Sequence, residues 1–209
     1  MKTGKIIFSA LTALLAAGFI SCSDMLKVDS KVVVYEENHK LNQATDTVYS
    51  VMGIIQRMQK IADRVVILNE ARGDLVEITD HATQDLRDIY EFNETSKNNK
   101  YNQIVDFYSV INNCNFFLSK VDTSYVRNHQ NVFMREYVAV LAYRAWTYLQ
   151  LAATYGRVRF FTEPILSGDQ AEANLPFFDV KEIADSLKNE LMLYVYEKIP
   201  MYGSLGGGD

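Results

Sequence analysis

The sequence predicts an all-α protein of antiparallel helical hairpins interrupted by one long irregular excursion. Three observations carry that class. Apolar residues recur at steps of three and four in four separate stretches. The three prolines are Pro164, Pro176 and Pro200, so no proline, the strongest helix breaker, falls between Cys22 and Glu163. Turn and stop residues, Gly73 and Gly156 among them, punctuate the periodic stretches. With 209 residues, 48% of them hydrophobic and 22% charged, the chain can bury a sizeable core. The same balance excludes disorder, collagen and a multi-span membrane protein.

The chain opens with an address. Lys2 and Lys5 precede an apolar run over residues 6–20, and Ser21-Cys22 follows. This is a positive n-region, an h-region and a small residue at a cleavage site. The run is too short to span a membrane comfortably. A cysteine directly after it resembles a bacterial lipobox, although Phe19-Ile20 replaces the usual Leu-Ala. Residues 1–21 therefore read as a lipoprotein signal peptide, cleaved before a lipidated Cys22, with an ordinary signal peptide as the alternative. Cleavage removes two lysines and no acid. The balance falls from 21 cations against 26 acids to 19 against 26, a net charge of −7. No basic block exists, so nucleic-acid binding by phosphate neutralisation is not expected.

Residues 22–40 read as a lipidated tether, extended at Val32-Val33-Val34-Tyr35, and 41–209 as the helical domain. The first helix begins near Asn42, with Val48, Val51, Ile55, Met58 and Ala62 as its apolar stripe and Thr45 or Thr47 as its cap. Residues 65–68 are apolar, either helix end or buried connector. Arg72-Gly73-Asp74 is a turn rather than an adhesion tripeptide. Residues 75–100 form the excursion. The second helix covers 101–120, with Ile104, Tyr108, Ile111, Asn115 and Leu118 on one stripe. The third covers 129–155, with Phe133, Tyr137, Val140, Leu141, Arg144, Tyr148, Leu151 and Tyr155 inward and Trp146 packed into the core. Small alanines on this helix allow close approach of its neighbours. The fourth runs from Asp179 to about Lys198. Asp179 and Glu182 make its capping box, and Ile183, Leu187, Leu191, Tyr194 and Val195 its inner stripe. Residues 203–209 are a glycine-rich end.

The chemistry-bearing residues do not assemble into a catalytic set. His39, His81 and His129 are far apart, and neither His-x-x-x-His nor Cys-x-x-Cys occurs. No nucleophile elbow or phosphate-cradling loop is present. The expectation is therefore no enzyme, no metal and no cofactor. With Cys22 acylated, Cys114 is the one remaining cysteine, and Asn112-Asn113-Cys114-Asn115 offers no cation to activate it. It reads as a buried, inert thiol. Sugars present both C–H faces and hydroxyls, so their sites combine aromatic faces with planar polar groups. The excursion supplies both types, and His81, Asp85, Tyr90 and Phe92 are the candidate ligand-binding residues. For Tyr90 and Phe92 the alternative is anchoring of the loop to the body; for His81 among its aspartates it is a solvated polar loop.

Four blocks in order carry a family resemblance. They are the lipobox, Asn69-Glu70-Ala71-Arg72-Gly73-Asp74-Leu75, Tyr108-Ser109-Val110-Ile111-Asn112-Asn113-Cys114-Asn115, and Tyr143-Arg144-Ala145-Trp146-Thr147-Tyr148 closing in Tyr155-Gly156-Arg157-Val158. This set resembles the SusD/RagB family. The resemblance implies a tetratricopeptide-like helical fold and a palmitate-bearing lipoprotein on the cell outer membrane of Bacteroidetes-type bacteria, facing the exterior. It implies carbohydrate binding and nutrient uptake without bond chemistry. The partners implied are a glycan or other nutrient ligand and a SusC-type TonB-dependent transporter. It also implies that the excursion contributes ligand-facing loops. Family members are usually longer, so the expectation is an incomplete, N-terminal SusD-like domain. A helical interaction scaffold without a small-molecule site is the competing expectation.

Overall fold

The structure, a computed structural model, describes residues 40–195 except 74, 125, 128, 129 and 132. Cys22 and the leader before it, the apolar run at 32–35, His39, His129, residues 203–209 and the side chains of Tyr194 and Val195 lie outside the described residues. Six helices and four two-residue strands make up the regular structure there, which gives the expected all-α class. In chain order these are α1 (Ala44–Glu70), α2 (Gln84–Tyr90), α3 (Ile104–Lys120), β1 (Val126–Arg127), β2 (Gln130–Asn131), α4 (Met134–Tyr155), β3 (Val158–Arg159), α5 (Gly168–Glu172), β4 (Phe177–Phe178) and α6 (Val180–Val195). The strands form two small antiparallel ribbons, β1–β2 and β3–β4.

The α1 helix has the expected period but a different phase. Its buried residues are Thr47, Ile54, Ile61 and Leu68, with Val51, Met58 and Val65 packed half-buried between them. These steps alternate four and three, the heptad spacing of a seam that faces neighbouring helices. Val48, Ile55 and Ala62, expected inside, lie on an adjacent outward stripe. Thr45 and Thr47 do not cap the helix. Gln43 is its N-cap, and the buried Thr47 hydroxyl donates back to the Gln43 carbonyl. The run at 65–68 is helical.

α1 and α3 are antiparallel. Leu41, just before α1, bridges to Val121, just after α3; Arg57 donates to Ser109, and Arg64 pairs with Asp106. α3 and α4 are antiparallel by the same argument, with Arg144 on Asn115 and Tyr155 edge-on to Phe107. The connections between them are long, the first containing the expected excursion. Residues 71–103 hold α2, and residues 121–133 hold the β1–β2 ribbon. α4 is the central helix, packed on α1, α3 and α6. Its inward residues include Val140, Leu141, Tyr148 and Leu151, as expected. Trp146 corrects the expectation: it is 36% exposed, on the outward side beside exposed Ala142. On α3, Ile104 is likewise exposed, and the buried side is led by Phe107, Val110, Ile111, Cys114 and Phe117.

Gly156 ends α4 with φ +78°, a backbone conformation that glycine adopts without steric cost. The α6 capping box forms as expected: Asp179 N–H donates to Glu182 Oε2 at 2.8 Å, and Glu182 N–H to Asp179 Oδ1 at 2.8 Å. Ile183 and Leu187 are buried and Leu191 half-buried. A second capping box, Ser167 with Gln170, starts α5.

Candidate ligand-binding site

Residues from two of the sequence blocks, 108–115 and 143–148, meet at one place. The segment 158–165 leaves α4 and lies across α3 and α4 as a strap; Val158–Arg159 pairs with β4 and Phe160 N–H donates to the Pro176 carbonyl, and side chains hold the rest. Asn112 Nδ2 donates to the Ile165 carbonyl at 2.8 Å and its Oδ1 accepts from Ile165 N–H at 2.7 Å. Asn115 donates to the carbonyls of Phe161 and Glu163. The Tyr148 hydroxyl donates to the Phe161 carbonyl at 2.7 Å and accepts from Phe161 N–H at 3.0 Å. Tyr108 donates to the Arg159 carbonyl, and its ring stacks on Phe161. Beyond β3 the strap has no strand or helix partner, so its polar groups need other donors and acceptors, and these side chains supply them.

Arg144 anchors the same strap. Its side chain is buried, donates to Asn115 Oδ1 at 2.8 Å and to the Thr162 carbonyl at 3.4 Å, and pairs with Glu190 of α6. A buried guanidinium is tolerable only with such partners. Burial pushes the Cys114 thiol up to about 12, with the nearby Arg144 charge opposing weakly, and it raises the Tyr148 phenol as well. Neither group is poised for acid–base work near neutrality. This cluster clamps the fold: its hydrogen-bonded polar atoms are committed to the strap, to one another and to Glu190, and buried Arg144 Nε has no partner among the described residues.

The excursion is folded rather than irregular throughout. Leu68, Ala71 and Ile89 form a satellite core, with Leu86, Tyr90, Tyr101 and Tyr155 packed around it. Arg87 holds the turn ahead of α2 by donating to the carbonyls of Thr79, Asp80 and Ala82. The four candidate residues fall into different environments. His81 is exposed. Asp85 Oδ2 accepts from Lys100 N–H at 3.2 Å while its carbonyl takes Asn99 Nδ2 at 2.9 Å, which ties α2 to the loop behind it. Tyr90 packs on the satellite core, the anchoring alternative for this residue. Phe92 is 71% exposed with φ +57°.

Phe92 sits where α2 stops. Asn93 N–H donates to the Asp88 carbonyl and Phe92 N–H to the Ile89 carbonyl, the two bonds of a Schellman cap. The left-handed position in that cap is usually glycine, and phenylalanine strains it.

Two concavities lie elsewhere. A cavity of about 220 Å³ under residues 76–79 is walled by Val66, Ile67, Ala71, Val76, Ile78 and Leu86 and is largely apolar. A cleft of about 370 Å³ opens between α1 and α3, with Ile54, Phe116 and Phe117 as its apolar side and Gln56, Arg57, Lys60 and Asn113 as its polar side. None of the four candidate residues lines either one. Sequence reasoning passed over both cleft cations. The available signal was Arg57 and Lys60 three apart on one helix face, with no acid three or four positions from Arg57. Among the described residues no three His, Cys, Asp or Glu side chains gather as a metal set, and no helix is long and apolar enough to cross a membrane. No family model, curated protein or solved structure matches the chain.

Proposed function

We propose that the chain is a SusD/RagB-type lipoprotein of the outer membrane, anchored through Cys22, that captures a glycan or other nutrient and passes it to a SusC-type TonB-dependent barrel. The observation that supports this reading is the convergence of two of its sequence blocks. Tyr108, Asn112 and Asn115 from one and Arg144 and Tyr148 from another meet on the strap 158–165, so the residues that carry the resemblance act as one fold-defining unit. The role requires binding and hand-over and no bond chemistry. The tetratricopeptide-like description belongs to the same proposal.

A second reading, a helical interaction scaffold, draws on a different observation: the outward stripe of α1 exposes Val48, Tyr49, Met52 and Val66. A barrel-transporter gene immediately upstream, with glycan-degrading enzymes nearby, favours the first reading over the second. The direct test is metabolic labelling with a clickable palmitate followed by cross-linking in intact cells. The expected result is label on the wild type, none on Cys22→Ala, and a barrel-sized partner cross-linked to the wild type. Equal label on both proteins removes the anchor, and a labelled protein without a barrel partner removes the transporter role.

A further inference from the structure

We propose that the cleft between α1 and α3 binds a small organic acid, a ring-sized body carrying one carboxylate or sulfate. The reading is independent of the nutrient-uptake role. The cleft's volume of about 370 Å³ falls within the usual range for small-molecule sites, and its make-up matches theirs: an apolar side with a few convergent polar groups. The charge pattern specifies the ligand. The cleft's charged lining residues are Arg57 and Lys60, both cations, in a chain whose net charge is −5. They stand three residues apart on α1 and so share one face.

Their partners are incomplete. Arg57 uses Nη1 on the neutral Ser109 hydroxyl at 2.9 Å, and neither Arg57 nor Lys60 meets a carboxylate among the described residues. Arg64, one turn further along α1, does have a carboxylate, Asp106. The guanidinium therefore keeps N–H groups free for the fork geometry that a carboxylate or sulfate accepts, and Lys60 adds a second charge. Half-buried Phe116 supplies the surface for the ligand's ring, with buried Ile54 and Phe117 forming the floor behind it. Gly53 lines the cleft, and a Cβ placed there meets nothing within 4 Å, so a larger side chain is accommodated at the cleft wall without a clash.

Isothermal titration of the full chain with benzoate and glucuronate, each beside its neutral counterpart benzamide or glucose, tests the proposal. Inorganic sulfate is the third arm. The expected result is that at least one acid binds tenfold or more tightly than its neutral counterpart and than sulfate. Arg57→Gln and Lys60→Gln should each weaken that acid at least several-fold, and so should raised salt, because the charges are only partly shielded from solvent. Gly53→Leu should abolish binding by filling the cleft while leaving the circular dichroism of α1 intact. Acid and neutral ligand binding equally overturns the proposal, as does sulfate binding as well as either acid. Binding untouched by all three substitutions, or no binding of either acid at millimolar concentration, overturns it too.

Discussion

At the residue scale, Cys114 shows how position alone silences a reactive group. Its place one turn from Ile111 and Leu118 was legible in the sequence, and it is buried in the main core. Burial raises the thiol from its ordinary 9.0 to about 12. The folded state thus holds its proton where the unfolded state releases it. The stability this contributes is complete below pH 9 and is lost as pH rises towards 12. Thiol labelling of the native chain should therefore be far slower than after denaturation, and a rate equal in both states would show an accessible sulfur. Arg144 is the opposite case. The helical period placed it inward, but nothing local identified its partners, which lie 18, 29 and 46 positions away. Arg144→Ala leaves Asn115 Oδ1 and the Thr162 carbonyl without this donor and opens a cavity. A loss of about 2–4 kcal/mol in urea unfolding is expected. A loss below about 1 kcal/mol would mean the strap does not depend on it.

At the element scale, period was readable and phase was not. On α1 two apolar stripes run side by side, 47-51-54-58-61-65-68 and 48-52-55-62-66. Both satisfy helical spacing, so only contact with α3 and α4 decides which one is inside. α2 leaves only a weak signal because four of its seven residues are polar and it is barely two turns long, although Leu86, Ile89 and Tyr90 keep the three–four spacing. The Ser167–Gln170 box of α5 is a signal that the sequence does carry. The stop of α2 leads to a sharper expectation. Phe92 occupies the left-handed position of a Schellman cap while its ring stays 71% exposed. Phe92→Gly removes the steric cost at that position and surrenders little packing. Stability should rise by about 0.5–1 kcal/mol, less than the full left-handed penalty because glycine loses more freedom on folding. If the thermal midpoint falls instead, the ring makes contacts that this exposure does not suggest.

For the whole molecule, the class and the central helix followed from sequence, whereas the strap and the cleft did not. Asn112 and Asn115 were visible as a block, yet their partners are backbone carbonyls about fifty residues away, and main-chain acceptors carry no sequence signature. The arrangement that results leaves α1 with one face buried and its neighbouring stripe bare. Val48, Tyr49, Met52 and Val66 are 45%, 71%, 58% and 56% exposed, and Ile55 is 37% exposed on the same side. Apolar residues scattered singly over a surface need no explanation, but Val48, Met52 and Ile55 stand four and three apart on one side of the helix and so make a hydrophobic patch. Such a patch takes up an environment-sensitive dye that a fully covered core excludes. A chain begun at Ser23 should therefore bind anilinonaphthalene sulfonate in its native state. The double substitution Met52→Lys/Ile55→Lys should cut that fluorescence by more than half. Both sites are exposed on a helix and away from caps, so the thermal midpoint should move by no more than a few degrees. Undiminished fluorescence in the double variant would place the accessible hydrophobic surface elsewhere, with the apolar cavity under residues 76–79 as the next site to block.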